Sequence, residues 1–182
     1  MTRTTPLDAV ILDYNGVIGR QPTRHRWLRL ARTASWPDTD LTDFQSAFWS
    51  TREHYDSGQL SDMAYWARVL GSHPGPRLLH QLRSADTDVW TATDDRVLSV
   101  LRRTHTSGLP MVLLSNAPAH LSDVLDTQDW RRMMTQALYS ARKCSSRSAC
   151  LMRHAVDHEP NAGPGKLCRS RSPREWRAST AT

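Results

Sequence analysis

Two short apolar runs, each ending in a residue able to do chemistry, constrain this chain more than any other feature. Ala9-Val10-Ile11-Leu12 runs into Asp13, and Met111-Val112-Leu113-Leu114 runs into Ser115-Asn116. Short runs of branched apolar side chains, followed closely by Gly, Pro or Asn, fit parallel strands buried on both faces. Between them, Asp94 to Thr106 reads as a helix with Val97, Leu98, Val100 and Leu101 on its apolar face. Gly108 closes that helix and Pro110 follows, a normal helix stop. Helix, tight turn and buried strand make half of a βαβ unit, and 136–140 reads as a third strand. The expected fold is therefore α/β, with a Rossmann-like parallel sheet.

Residues 24–90 have a different pattern. Helical periodicity covers 24–35, 40–56, 61–70 and 76–84, and no stretch reads as a strand. Asp40 or Thr42 is placed to cap the second helix. Phe44, Phe48 and Tyr55 fall on one side of it, and tryptophans recur at 27, 36, 49, 66 and 90. This suggests a helical unit inserted between two strands. Residues 1–20 and 92–140 would form the α/β core and 21–91 the insertion. The aromatic residues would pack its interior, although one facing Asp13 would also touch a substrate.

Beyond residue 140 the composition changes abruptly. Residues 1–140 hold 15 Arg, no Lys and 15 Asp plus Glu, which sum to zero. Residues 141–182 hold 9 Lys plus Arg against 3 Asp plus Glu, so the whole net charge of +6 lies there. All three cysteines and both lysines lie there too. Rich in Ser, Arg and Pro, this segment cannot bury enough apolar surface to offset its ordering entropy, and disorder is expected. Cys144, Cys150, His154, His158 and Cys168 lack the usual zinc-site spacing. The cations suggest no specific nucleic-acid partner. No run is long enough to span a membrane or form a signal peptide's apolar core, so a cytoplasmic protein is expected.

The chemistry centres on Asp13. A carboxylate at the C-terminal end of a parallel strand sits where open α/β sheets bind ligands. Gly16 lets the chain turn sharply beside it. An Asp that merely ends a strand would look the same in isolation, but the second run adds weight. Asp13-Tyr14-Asn15-Gly16-Val17-Ile18 after the first strand, and Ser115-Asn116 after the second, together resemble the haloacid dehalogenase-like superfamily. The first motif of that family is an apolar strand followed by Asp-x-Asp-Gly-(Thr/Val)-(Leu/Ile). Its second is an apolar strand ending in Ser or Thr. The two motifs stand 102 positions apart with helical sequence between them, as in members with a helical cap. The stretch 48–71 also resembles such caps, and the similarity covers about 7 to 140.

The resemblance implies a hydrolase acting on a small molecule, either a phosphorylated metabolite or a haloacid. Asp13 would be the nucleophile and form a covalent aspartyl intermediate. Mg²⁺ would be held by Asp13, by the backbone carbonyl of Asn15 and by acids nearer the C-terminus. Ser115 would donate a hydrogen bond to the transferred group, with Gly16 and Asn116 lining the substrate site. A later lysine would stabilise the nucleophile's charge.

Three departures from the family pattern matter. Asn15 stands where phosphatase members have the Asp that protonates the leaving oxygen and then activates water. An amide does neither, and losing such help typically costs ~10²–10⁴-fold. Lys143, the first lysine in the chain, is followed by Cys rather than Pro. No acidic pair follows an apolar strand late in the chain; Asp94-Asp95 reads as a helix start, and Asp157 and Glu159 sit in the basic segment. A catalytically inactive remnant or binding module of the same fold is the alternative, and a haloacid dehalogenase a further one. The coincident changes near 141 suggest a shifted reading frame that replaces the last third of the fold. The first strand would then keep an unpaired edge.

Overall fold

The computed structural model describes residues 7–142. The basic segment falls outside the described residues, and with it Lys143, the Cys/His set, Asp157 and Glu159. Strand β1 is Val10–Asp13, and helices α1 (Arg24–Thr33), α2 (Leu41–Trp49), α3 (Arg52–Asp56), α4 (Asp62–Leu70) and α5 (Pro76–Trp90) follow. Then come α6 (Asp95–Thr106), β2 (Met111–Ser115), α7 (Ala119–Thr127) and β3 (Gln136–Tyr139). Single 3-10 turns precede α2 and β3, at Asp38–Asp40 and Asp129–Met133. The three strands are parallel in the order β1-β2-β3, an incomplete Rossmann-like sheet. Asp13 pairs with Leu114, and Ser115 with Tyr139. All three strands therefore deliver their C-terminal residues to one edge, where parallel sheets of this kind place a site.

The expectation of strands buried on both faces holds only in part. On β2, Met111, Leu113 and Ser115 are buried, with Val112 and Leu114 half-buried. On β1, Ile11 is 64% exposed. Its side chain shares a face with Val112 through the sheet register, and no described helix covers that position. Among the described residues β1 has a strand neighbour on one side only.

Local chemistry sets the helices. Thr23 caps α1 by accepting from Arg26 N, and Trp27, Leu30 and Ala31 form its buried stripe. Ser61 caps α4 in the same way, and Tyr65, Trp66 and Val69 are its buried residues. Pro76 occupies the first turn of α5, which runs to Trp90 rather than ending near 84. Asp94 caps α6 by accepting from Arg96 N at 2.8 Å, which accounts for the Asp94-Asp95 pair. The helix expected over 40–56 is broken at Ser50–Thr51 into α2 and α3, and Asp40 makes no side-chain capping bond. Phe44, Phe48 and Tyr55 are nonetheless all buried.

One hydrophobic cluster runs from the sheet through the inserted helices. Its densest part is aromatic. Phe48 meets Trp27 at 5.0 Å, Trp49 at 5.2 Å and Tyr65 at 5.8 Å between ring centroids, each edge to face.

Candidate active site

The loop after β1 is held rigidly. The Tyr14 carbonyl accepts from the backbone N–H groups of Val17, Ile18 and Gly19, curling the chain into a tight turn. Tyr14 itself is buried. Its hydroxyl donates to the Trp90 carbonyl at 2.8 Å and its ring stacks on Trp130 at 5.6 Å. Burial pushes that phenol up to about 12, against the pull of Arg26, so it stays protonated and keeps its bond to α5. Gly16 adopts φ +77°, and a Cβ there would lie 2.8 Å from Gln21 Nε2. The positive φ is what favours glycine here, since the end of the Gln21 side chain could move aside.

This loop presents Asp13 beside Asn15. One Asp13 oxygen accepts from Tyr14 N at 2.6 Å. Asp13, Asn15, Ser115 and Asn116 line a single cavity of about 180 Å³. The structure therefore brings four of the five sequence-expected site residues together, although 102 positions separate Asp13 from Ser115. Gly16 shapes the loop and is not part of the cavity wall. Ser115 is buried at the end of β2, and its carbonyl accepts from Ser140 N at 3.1 Å.

The inserted helices close the cavity with residues that no motif marks. Trp49, Arg52, Asp56 and Trp90 complete much of its wall. Arg52 is 3% exposed. Its Nε donates to Asp56 Oδ1 at 2.7 Å, and its Nη1 donates to the two Asp86 oxygens at 3.0 and 3.1 Å. Its guanidinium lies 4.6 Å from the Phe48 ring centroid. Asp86 is fully buried and also accepts from Trp90 Nε1 at 2.9 Å. Burial alone would raise its carboxyl, but Arg52 and His120 outweigh that and hold it below the usual carboxylate range. His120, on α7, places Nδ1 3.0 Å from the Tyr55 hydroxyl and Nε2 3.2 Å from Asp86, the latter without hydrogen-bond alignment.

A signal for these residues was present in the sequence. Arg52 lies four after Phe48 and three before Tyr55, on the same apolar stripe. Asp86 sits likewise between Leu82 and Val89-Trp90 on α5. A charge on an apolar stripe is either an error or a partnered group, and here the two are each other's partners.

Oxygen donors suit a hard cation at the cavity mouth. Asp13 has an oxygen, and Asn15 a backbone carbonyl, that accept no hydrogen bond among the described residues. No group of three His, Cys, Asp or Glu able to hold a metal stands among the described residues, so these residues offer two ligands and no closed cage.

No protein-family model and no curated protein matches this chain. Solved structures do. A HAD family enzyme from Bacteroides thetaiotaomicron aligns at TM-score 0.58 and 11% identity, over 84% of this chain and 79% of that one. The same enzyme as an aspartate-to-alanine variant, in complex with magnesium and inorganic phosphate, aligns at TM-score 0.59 and 11% identity, over 84% and 79%. A HAD-like family hydrolase from Porphyromonas gingivalis aligns at TM-score 0.54 and 12% identity, over 84% and 76%. These alignments, each over 84% of the chain, show that it has the haloacid dehalogenase-like fold.

Proposed function

We propose that this chain hydrolyses small phosphate monoesters through an aspartyl intermediate on Asp13. Residues 1–20 and 92–140 would be its catalytic core and 21–91 its cap. One observation carries the reading: Asp13 and Ser115, from different strands, open into the same small cavity together with a buried arginine. In the first half-reaction an Asp13 oxygen attacks phosphorus while the bond to the leaving oxygen breaks. Charge then spreads over the phosphoryl oxygens, where the Ser115 hydroxyl and the Asn116 amide can donate to it. Arg52, paired with Asp86 and Asp56, stands in the same wall. In the second half-reaction water displaces Asp13 and releases phosphate.

The Asp13 carboxylate and the Asn15 carbonyl would hold a magnesium ion, which would supply relief of the repulsion between Asp13 and a phosphate dianion. The magnesium complexes of the Bacteroides thetaiotaomicron enzyme support that choice of ion. A cavity of about 180 Å³ suits a phosphoryl group and a few further atoms, so the rest of the substrate extends past Trp49. The adjoining larger pocket shares Asn15, Trp49 and Trp90 with it.

The test is hydrolysis of p-nitrophenyl phosphate by purified protein with Mg²⁺ added. Turnover should fall to background in Asp13→Ala, with the circular dichroism of the fold retained. Equal turnover by both proteins would mean a contaminant and end the reading.

A further inference from the structure

We infer that Asp56 is the acid–base residue of this site, performing from α3 the proton transfers that Asn15 cannot. The inference rests on the reading of Asp13 as nucleophile. Asp56 lines the same cavity as Asp13, Ser115 and Asn116. Oδ1 is held by Arg52 Nε at 2.7 Å, and Oδ2 makes no hydrogen bond among the described residues. The carboxyl is therefore oriented through one oxygen and available through the other.

Its backbone is fixed against the ends of β2 and β3 as well. The Asp56 carbonyl accepts from the Ser140 hydroxyl, and that same hydroxyl accepts from Ala117 N at 3.1 Å. One side chain thus ties the end of α3 to the loop carrying Ser115 and Asn116. The next turn is equally close: a Cβ on Gly58 would lie 3.0 Å from the Ala141 carbonyl oxygen. The end of α3 is thereby anchored beside the loop that follows β2, in the wall of the same cavity.

The surroundings suit proton transfer. Arg52 on its own helix, Asp86 on α5 and His120 on α7 are the charged or titratable groups that act on it. Burial pushes Asp56 up to about 6, against Arg52, with Asp86 adding to the rise and His120 opposing it. A proton donor and acceptor poised near neutrality works in both directions.

The balance is simple. As Asp13 bonds to phosphorus, protonated Asp56 gives its proton to the departing oxygen, which leaves as a neutral alcohol. The resulting carboxylate then takes a proton from water. The water oxygen bonds to phosphorus, the Asp13–phosphorus bond breaks, and phosphate leaves with Asp56 protonated again.

Asp56→Asn keeps an amide oxygen for Arg52 and tests this directly. A p-nitrophenolate leaving group needs no proton, so the first half-reaction should survive. The variant should release one equivalent of p-nitrophenolate in a burst, followed by a steady state slowed ~10²–10⁴-fold. An alkyl phosphate should be slowed even in the first turnover. A steady rate within about threefold of wild type on both substrates would overturn the inference. So would loss of burst and steady state together in a variant that melts no lower than wild type. Should Asp56→Asn fail to fold, wild type decides: a first-step rate nearly independent of leaving-group basicity supports a general acid, and a steep fall from aryl to alkyl phosphates refutes one. Failure of the nucleophile reading looks different, because Asp13→Ala would then retain the wild-type rate.

Discussion

At the scale of single residues, Asp56 and Asp86 show how one arginine can serve two carboxyls with opposite outcomes. Both touch Arg52, but Asp86 gathers a second nitrogen from Trp90 as well as His120 nearby, while Asp56 keeps one oxygen without a partner among the described residues. Burial therefore wins at Asp56 and loses at Asp86. The sign for stability follows. Asp56 has a folded-state value of about 6 against 3.8 for the free side chain, so its ionisation costs the folded state more as pH rises between the two. Asp56→Asn cannot ionise. Its melting temperature should match wild type near pH 4, rise above it through pH 6, and level off beyond. A difference that is flat with pH would show that the Arg52 pairing cancels burial, and a loss that grows with pH that it outweighs burial. A more stable but impaired variant is the ordinary trade-off at a functional site.

At the scale of elements, α2 and α3 do different work despite reading as one helix. α2 contributes Phe44 and Phe48 to the aromatic cluster, and the break at Ser50–Thr51 begins a second short helix that carries Arg52 and Asp56 into the cavity wall. α3 spans only five residues and cannot hold itself together, so its position depends on packing. Phe48 provides that packing: it is fully buried, contacts rings on α1, α4 and α5, and lies beneath the Arg52 guanidinium. Phe48→Ala should cost about 3–5 kcal/mol in urea unfolding, the range for emptying a large aromatic from a core. A loss under about 1 kcal/mol would mean that the cluster closes over the gap and is not the support of α3.

At the scale of the molecule, one continuous core joins the sheet to the inserted helices, and the sheet is where it is thinnest. Three short strands with one half-covered face bury little. Ile11 and Leu7, 64% and 63% exposed, stand on or beside a strand that has one neighbour among the described residues. Such an edge is a template for pairing between copies. Ile11→Lys should leave the unfolding free energy within about 0.5 kcal/mol of wild type, since the side chain is already in solvent. It should also lower the light scattering that develops when the protein is held just below its melting temperature. Unchanged scattering would place the aggregating surface elsewhere.

How much of this was legible in the sequence differs from one part to another, for physical reasons. The parallel strands, the helical insertion and the placing of Asp13 and Ser115 at strand ends were readable, because run length, capping residues and helical period are local properties. Extra length in α5, the break between α2 and α3 and the exposure of Ile11 were not, because each depends on what packs alongside. Arg52, Asp56, Asp86 and His120 lie on three helices and belong to no motif. Local sequence was enough to place a carboxylate at the end of the first strand and an amide, which cannot move protons, two residues on. That a second carboxyl lines the same cavity emerged from the packing of α3 against the strand ends. Its burial, its arginine partner and its unbonded oxygen all arise from contacts between segments distant along the chain.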